Sequence, residues 1–375
     1  MAGIYFHIPF CRSRCIYCDF FSSTSLNEKE LYIDSICNEL QDRKAYLQDQ
    51  PVQTIYFGGG TPSQLSARDF EKVFQMINLC YPEVYNQLGN IEITLEANPD
   101  DINPEYVNVL RQFPFNRISL GVQSFDNKEL RFLHRRHSAL SAINAVKSLQ
   151  KAGFDNINID LIYGLPGQTP VVWEKNLHQA IALDIQHISA YHLTYEEETP
   201  LFKLWKQGLI RPVEEEVSIL FFDLLVRLLA NSGFEHYEIS NFAKPGYRSR
   251  HNSAYWNGSH YLGIGASAHS YNGFSRQWNK KEAGAGYRFY RSEREIIDAK
   301  TAYNDFIITR LRTMEGIDFQ ELVALFGKER KTYCLKQAQS YIETQHLAID
   351  SGHLRLTRKG IEVSDRIMSD LLAED

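Results

Sequence analysis

The chain lacks a hydrophobic run long enough to cross a bilayer. Its longest apolar stretch, near Ile219 to Leu229, is broken by Asp223 and Arg227, whereas a spanning helix needs about 20 apolar residues. An excess of positive charge is missing as well: 40 basic against 46 acidic side chains leave a net charge of −6, which disfavours a polyanion such as nucleic acid as a partner. Behind Met1 there is no basic n-region, apolar h-region or small-residue cleavage site, so the expected location is the cytoplasm. Evenly spread cysteines are lacking too. Three of the six crowd into positions 11 to 18, while Cys37, Cys80 and Cys334 are scattered through helix-like segments. That distribution argues for one metal site and three ordinary thiols rather than a disulfide framework. With 43% hydrophobic and 23% charged residues, neither disorder nor a fibrous repeat needs explaining.

What is present is a βα repeat. Short β-branched and apolar runs at 3–8, 54–57, 91–96, 117–122, 157–163 and 187–195 alternate with amphipathic stretches at 31–47, 67–79, 104–111 and 140–152, whose apolar residues recur every three or four positions. Parallel strands with right-handed crossovers follow. Six units are too few for a closed eight-stranded barrel, so the fold class is α/β, a partial (β/α)6 TIM-type barrel with its active edge at the strand C-termini. Three parts are expected: the core barrel over 1–232, additional strands and loops packing beside it over 233–297, and a small α+β, winged-helix-like C-terminal domain over 298–375 with a hairpin turning at Ser351-Gly352.

Every motif with chemical potential falls just after a predicted strand. Cys11-Arg-Ser-Arg-Cys15-Ile-Tyr-Cys18 places three thiols in one loop, enough to ligate three corners of a [4Fe-4S] cluster and leave the fourth iron open. An open iron can take the amino and carboxylate groups of S-adenosylmethionine (SAM), and a low-potential cluster can send an electron into its sulfonium bond to yield a 5′-deoxyadenosyl radical. Structural zinc is the competing use, but it wants four ligands, commonly in paired C-x2-C knuckles. Arg12 and Arg14 between the thiols would favour the thiolate forms. Gly58-Gly59-Gly60-Thr61-Pro62 after the second run lets the backbone approach a ligand, read here as SAM's methionine end. Glu96, Gln123, Arg135 and Asp160 put polar groups at the ends of runs three to five, where ribose hydroxyls and an amino-acid terminus can be held. A structural ion pair is the alternative for Asp160.

Tyr5-Phe-His-Ile-Pro-Phe-Cys11, the C-x3-C-x2-C loop, residues 58–62, Gly121-Val-Gln123-Ser-Phe125 and Asp160-Leu-Ile-Tyr-Gly-Leu-Pro166 together resemble the oxygen-independent coproporphyrinogen III oxidase family of radical SAM proteins. The resemblance implies a radical SAM barrel that binds SAM through Tyr5, Gly59, Gly60, Thr61, Glu96, Gln123, Arg135 and Asp160. It also implies two departures from the oxidases: Phe20 stands where they carry a further cysteine, and only ten residues precede Cys11, against a longer leading segment there. Both count against decarboxylation. His251-Asn252-Ser-Ala-Tyr255-Trp256 is instead similar to the H-N-x-x-Y-W signature of the sister group, the HemW heme chaperones.

That resemblance implies heme as cargo, with His251 suited to ligate iron and Asn252, Tyr255 and Trp256 as further heme contacts. It also implies heme-accepting proteins, some of them in the respiratory chain, a homodimer and transient contact with a membrane surface. His7, His192 and His269 are open as structural or cavity residues. The alternatives are oxidation of coproporphyrinogen III to protoporphyrinogen IX and a radical SAM methyltransferase, and SAM cleavage is open. The basic residues Lys328, Arg330, Lys331, Arg355, Arg358 and Lys359 fit a solvated face as well as they fit DNA.

Overall fold

The computed structural model describes residues 2–48, 50–282, 287 and 290–373. Six strands follow one another along the chain: β1 (Ala2–Ile8), β2 (Val52–Gly59), β3 (Glu92–Ala97), β4 (Arg117–Gln123), β5 (Ile157–Tyr163) and β6 (His187–His192). All five neighbouring pairs are parallel, with the helices Lys29–Asp42, Ala67–Cys80, Pro104–Leu110, Ala139–Lys151 and Pro170–Ala182 in the crossovers. The helix starts are written locally. Ser66 accepts from Asp69 N in a capping box, and Thr169 accepts from Val172 N ahead of Pro170 at the first helical position, both of which satisfy amide groups that the first turn leaves unbonded.

Successive strand side chains point to opposite faces, and here the two faces differ in kind. Ile4, Phe6, Ile55, Phe57, Ile93, Leu95, Ile118, Leu120, Ile159, Leu161 and Ile188 join the helices in one apolar core. The intervening positions are Thr54, Tyr56, Thr94, Glu96, Arg117, Ser119, Asn158, Asp160, Ser189 and Tyr191, so the inner face is polar. The strand run expected to reach Tyr195 ends at His192, because Leu193 leaves the sheet for an apolar cluster with Ile16, Leu165 and Leu201.

Beyond β6 a helix, Glu215–Asn231, leads to β7 (Glu235–Glu238) and β8 (Asn241–Ala243), and β8 pairs antiparallel with β6. The helix Arg250–Trp256 carries the chain to the opposite edge. There β9 (His260–Ile264) pairs parallel with β1 and is followed by antiparallel β10 (His269–Tyr271), β11 (Ser275–Asn279) and β12 (Ser292–Ile296). The segment 233–297 therefore extends the same sheet at both ends, which occupies the backbone groups an open parallel sheet leaves unpaired on β1 and β6.

The C-terminal part has its own core, built from Tyr303, Ile307, Leu322, Ala338, Leu354 and Ile367 among others. Its helices Ala299–Leu311 and Phe319–Glu343, the latter broken at Gly327 (φ 83°), pack with an antiparallel sheet of β13 (Ile317–Asp318), β15 (His353–Leu356) and β14 (Leu347–Asp350), in that order. The hairpin between β14 and β15 turns at Ser351-Gly352, both at positive φ.

One buried ion pair ties the first crossover helix to the added strands. Arg43 Nη1 lies 2.8 Å from Glu39 Oε1 and 2.9 Å from the Gly263 carbonyl, while Arg43 Nη2 lies 2.9 Å from Ser270 Oγ. Glu39 in turn accepts from Gly265 N at 2.9 Å and Asn279 Nδ2 at 2.7 Å. Removing one partner of such a pair strands a buried charge at a cost of about 3–5 kcal/mol. Arg43→Met is expected to lose about that much in urea unfolding, and a loss below 1 kcal/mol would contradict this account.

Candidate functional site

The strand C-termini and the polar inner face enclose a cavity of about 480 Å³. The loop after β1 contributes Cys11, Cys15 and Cys18 to its rim, all three free thiols. Cys11 Sγ lies 3.3 Å from Thr61 Oγ1, and Arg135 Nη1 donates to Cys15 Sγ at 3.3 Å. Among the described residues no three His, Cys, Asp or Glu side chains close on a single metal ion. Arg12 is directed away from them, donating to Gln64 Oε1 at 2.8 Å. The cation in contact with a thiol is Arg135, on Cys15, brought there by the return of the chain after β4.

The backbone amide of Gly59 donates to Glu96 Oε2 at 3.1 Å, and Tyr56 Oη donates to Glu96 Oε1 at 2.8 Å. Gly59 has φ 105°, and a Cβ there would lie 2.6 Å from the His7 ring, so the turn needs glycine for space as well as conformation. Arg135 Nη2 holds Asn98 Oδ1 at 2.5 Å and the Gly121 carbonyl at 2.6 Å. Gln123, at the bulge that ends β4, adopts φ 68°, a conformation costly for a non-glycine residue and typical of functional sites. Asp160 accepts from Asn158 Nδ2 at 2.8 Å. The structure thus brings Gly59, Gly60, Thr61, Glu96, Gln123, Arg135 and Asp160 to one cavity, whereas Tyr5 does not line it. Tyr5 stands behind Gly58 with its hydroxyl 3.3 Å from His7 Nδ1.

The expected heme ligand does not reach the cavity with a free nitrogen. His251 is 2% exposed, with Nδ1 2.8 Å from Thr54 Oγ1 and Nε2 3.0 Å from Tyr255 Oη. Burial, with the Arg117 guanidinium nearby, pushes its pKa down to about 3. In this conformation it has no ring nitrogen to offer iron, which corrects the sequence-based assignment. Of its motif, Asn252 lines the cavity. Tyr255 packs edge-on against Tyr261, and Arg312 lies over the Trp256 ring. His7 and His192 have both ring nitrogens in hydrogen bonds, and His269 on β10 stacks on Trp278 of β11.

Sequence reasoning passed over Arg117, Tyr56 and His134. Arg117 lines the cavity at 1% exposure, with Nε and Nη1 lacking hydrogen-bond partners among the described residues. The signal for Arg117 and Tyr56 was the polar half of the strand alternation. His134 is exposed at the cavity and has no side-chain partner among the described residues, and Phe20, 63% exposed, lines the same cavity; nothing in the local pattern of His134 marked it.

The comparisons with known proteins can be set against this geometry. Residues 5–180 match the model of the Radical SAM superfamily, and residues 297–363 match the HemN C-terminal domain. The "Heme chaperone HemW" of Lactococcus lactis is 33% identical over 379 residues, covering 99% of this chain and 97% of that protein. The chain belongs to the HemW family. A second member, from Escherichia coli, is 34% identical and covers 87% of this chain and 86% of its own. Among solved structures, the radical SAM enzyme coproporphyrinogen III oxidase (HemN) from Escherichia coli superposes with a TM-score of 0.83 over 99% of this chain and 90% of its own. At 21% identity it shows that this HemW-family chain shares the HemN fold. Within that fold the match to the superfamily model begins at β1 and ends inside the helix after β5, which takes in the thiol loop and the glycine turn but not the cavity residues on and after β6.

Burial in the barrel is the largest influence on Glu96 and raises its pKa from 4.5 to about 7, with the Tyr56 hydrogen bond opposing and Asp160 assisting. An acid whose folded pKa is raised binds its proton more tightly folded than unfolded, so its contribution to stability is present below 4.5 and is lost as pH rises towards 7. Glu96→Gln, neutral throughout, is expected to remove that decline. Urea midpoints of both proteins across this window check it, and parallel curves would refute it.

Proposed function

We propose that this chain binds heme and passes it to acceptor proteins, on a scaffold that carries a [4Fe-4S] cluster and SAM. The observation that carries the reading is the family membership of nearly the whole chain, 97% of the Lactococcus lactis relative being covered. Cys11, Cys15 and Cys18 are the cluster's ligands in this proposal. When bound, such a cluster holds the amino and carboxylate groups of SAM at its open iron and supplies a low-potential electron. Gly59, Gly60 and Thr61 meet the methionine end, Gln123 and Asp160 the ribose, and Glu96 and Arg135 the charged groups. The family's own barrel supports these roles, as does the convergence of the seven residues on one cavity.

Heme is then left the mouth of the cavity. Exposed Phe20 supplies an apolar face there, and His134 has a ring that is free among the described residues. A neutral imidazole is the commonest protein ligand for heme iron in globins and peroxidases. Acceptors are proteins that need heme, those of respiratory chains included, and the cytoplasm is the proposed compartment. No helix among the described residues is long and apolar enough to cross a membrane.

Anaerobic reconstitution tests the reading. Wild-type protein is expected to carry iron and sulfide in cubane proportion and to titrate with heme without turning over coproporphyrinogen. Cys11→Ser, Cys15→Ser and Cys18→Ser should each lose the cluster chromophore. Rapid coproporphyrinogen decarboxylation would make the chain an oxidase, and stoichiometric zinc in place of sulfide would remove the cluster. For the iron ligand, His134→Ala should lose the ligated-heme spectrum while His251→Ala keeps it.

A further inference from the structure

The helix Arg250–Trp256 closes the N-terminal end of the barrel. Its first amides are received by a strand residue: Glu92 accepts from Arg250 N at 3.0 Å and from His251 N at 2.9 Å. The His251 ring enters a slot that β1 leaves open at Gly3, where a Cβ would lie 3.2 Å from the imidazole. One face of the ring stacks on Tyr56, centroids 4.9 Å apart at 27°. Thr54 and Tyr255 hold its two nitrogens, so the ring has a single orientation to present.

Upward from that stack runs an unbroken set of contacts. Tyr56 Oη donates to Glu96 Oε1 at 2.8 Å, the other oxygen of Glu96 accepts from Gly59 N at 3.1 Å, and Gly59 opens the turn whose Thr61 hydroxyl lies 3.3 Å from Cys11 Sγ. Asn252, the next residue of the helix, is itself part of the cavity lining. We propose that the His251–Trp256 motif is the floor of the SAM pocket, with His251 a positioning residue that sets Tyr56, through Tyr56 the carboxylate of Glu96, and through Glu96 the Gly59–Thr61 turn. This rests on the reading that the cavity takes SAM. It assigns the signature of a heme-carrying family to the nucleotide site, and the motif couples barrel closure to the geometry of the methionine end.

The test uses cluster-reconstituted full-length protein under anaerobic conditions, with SAM affinity from equilibrium dialysis and heme affinity from titration. Tyr56→Phe keeps the stack and removes only the hydroxyl, leaving Glu96 short of one donor; a buried group so deprived loses on the order of tenfold in binding. Tyr56→Phe and His251→Ala should each weaken SAM binding about tenfold or more and leave heme affinity unchanged. The double variant should be no weaker than the weaker single one, the mark of residues acting through one path. Tyr56→Phe should still unfold in one cooperative transition at a modestly lower midpoint, the cost of a single buried hydrogen bond, which separates positioning from general loosening and carries the test if His251→Ala does not fold. Unchanged SAM affinity in Tyr56→Phe would overturn the proposal, as would full additivity, or loss of heme with SAM binding intact in His251→Ala. A reconstituted wild type that binds heme and no SAM would overturn the reading beneath it, a result distinct from all of these.

Discussion

A barrel with a polar inner face cannot be held together through its middle. The six parallel strands draw their hydrophobic stabilisation from the outer face alone, where Ile4, Phe57, Leu95, Leu120, Ile159 and their neighbours meet the crossover helices. Inside, each buried polar group must find a partner or lose more than a hydrogen bond gains. His187 meets Asn158 and Tyr237, Asn158 meets Ser119 and Asp160, and Glu92 meets the start of the helix below. Arg117 is left with two buried nitrogens unbonded among the described residues. The cavity is what remains where these pairings stop, and its polarity follows from the same alternation that builds the walls.

The thiol loop is held by a different force. Ile16, between Cys15 and Cys18, packs with Leu133, Ile162, Leu165, Leu193 and Leu201 in a cluster separate from the main core, and the Leu201 amide donates to the Ile16 carbonyl at 2.9 Å. A loop that carries three thiols has little apolar surface of its own. Anchoring it through Ile16, with Tyr17 packed beside it, leaves the sulfur atoms at the rim and lets Arg135 and Thr61 approach two of them from the segments after β4 and β2. The Arg135 guanidinium beside Cys15 matters because only the thiolate ligates metal.

Much of this could be read along the chain. The βα repeat, the polar ends of the strands and the Cys11–Cys18 spacing are local patterns, since a strand's period of two and a helix's period near 3.6 appear within a few residues. The residues expected at the SAM site fall in or after strands whose C-terminal ends face the cavity, except Arg135, which returns to it beyond the helix at 127–132. Tyr5 was placed with them by resemblance, yet it lies one layer behind because Gly58 and Gly59 occupy the wall before it. His251 was a candidate heme ligand by the same resemblance. A single histidine in a polar, aromatic stretch carries no local sign of whether its two nitrogens are already taken, and here the partners Thr54 and Tyr255 come from 197 and 4 residues away.

By itself the sequence determined the strand order along the chain, the glycine turn, the three clustered thiols and the presence of late strands beyond β6, because each depends on neighbours a few positions apart, but it did not show the helix Arg250–Trp256 among those strands. Only the tertiary structure decided that those late strands complete both edges of the first sheet, that Arg135 contacts the Cys15 thiol, and that the His251 helix seals the barrel beneath Tyr56 and Glu96. Those are contacts between residues tens to hundreds of positions apart. They exist only once burial of the outer face has brought the strands together and left the polar inner groups to find one another.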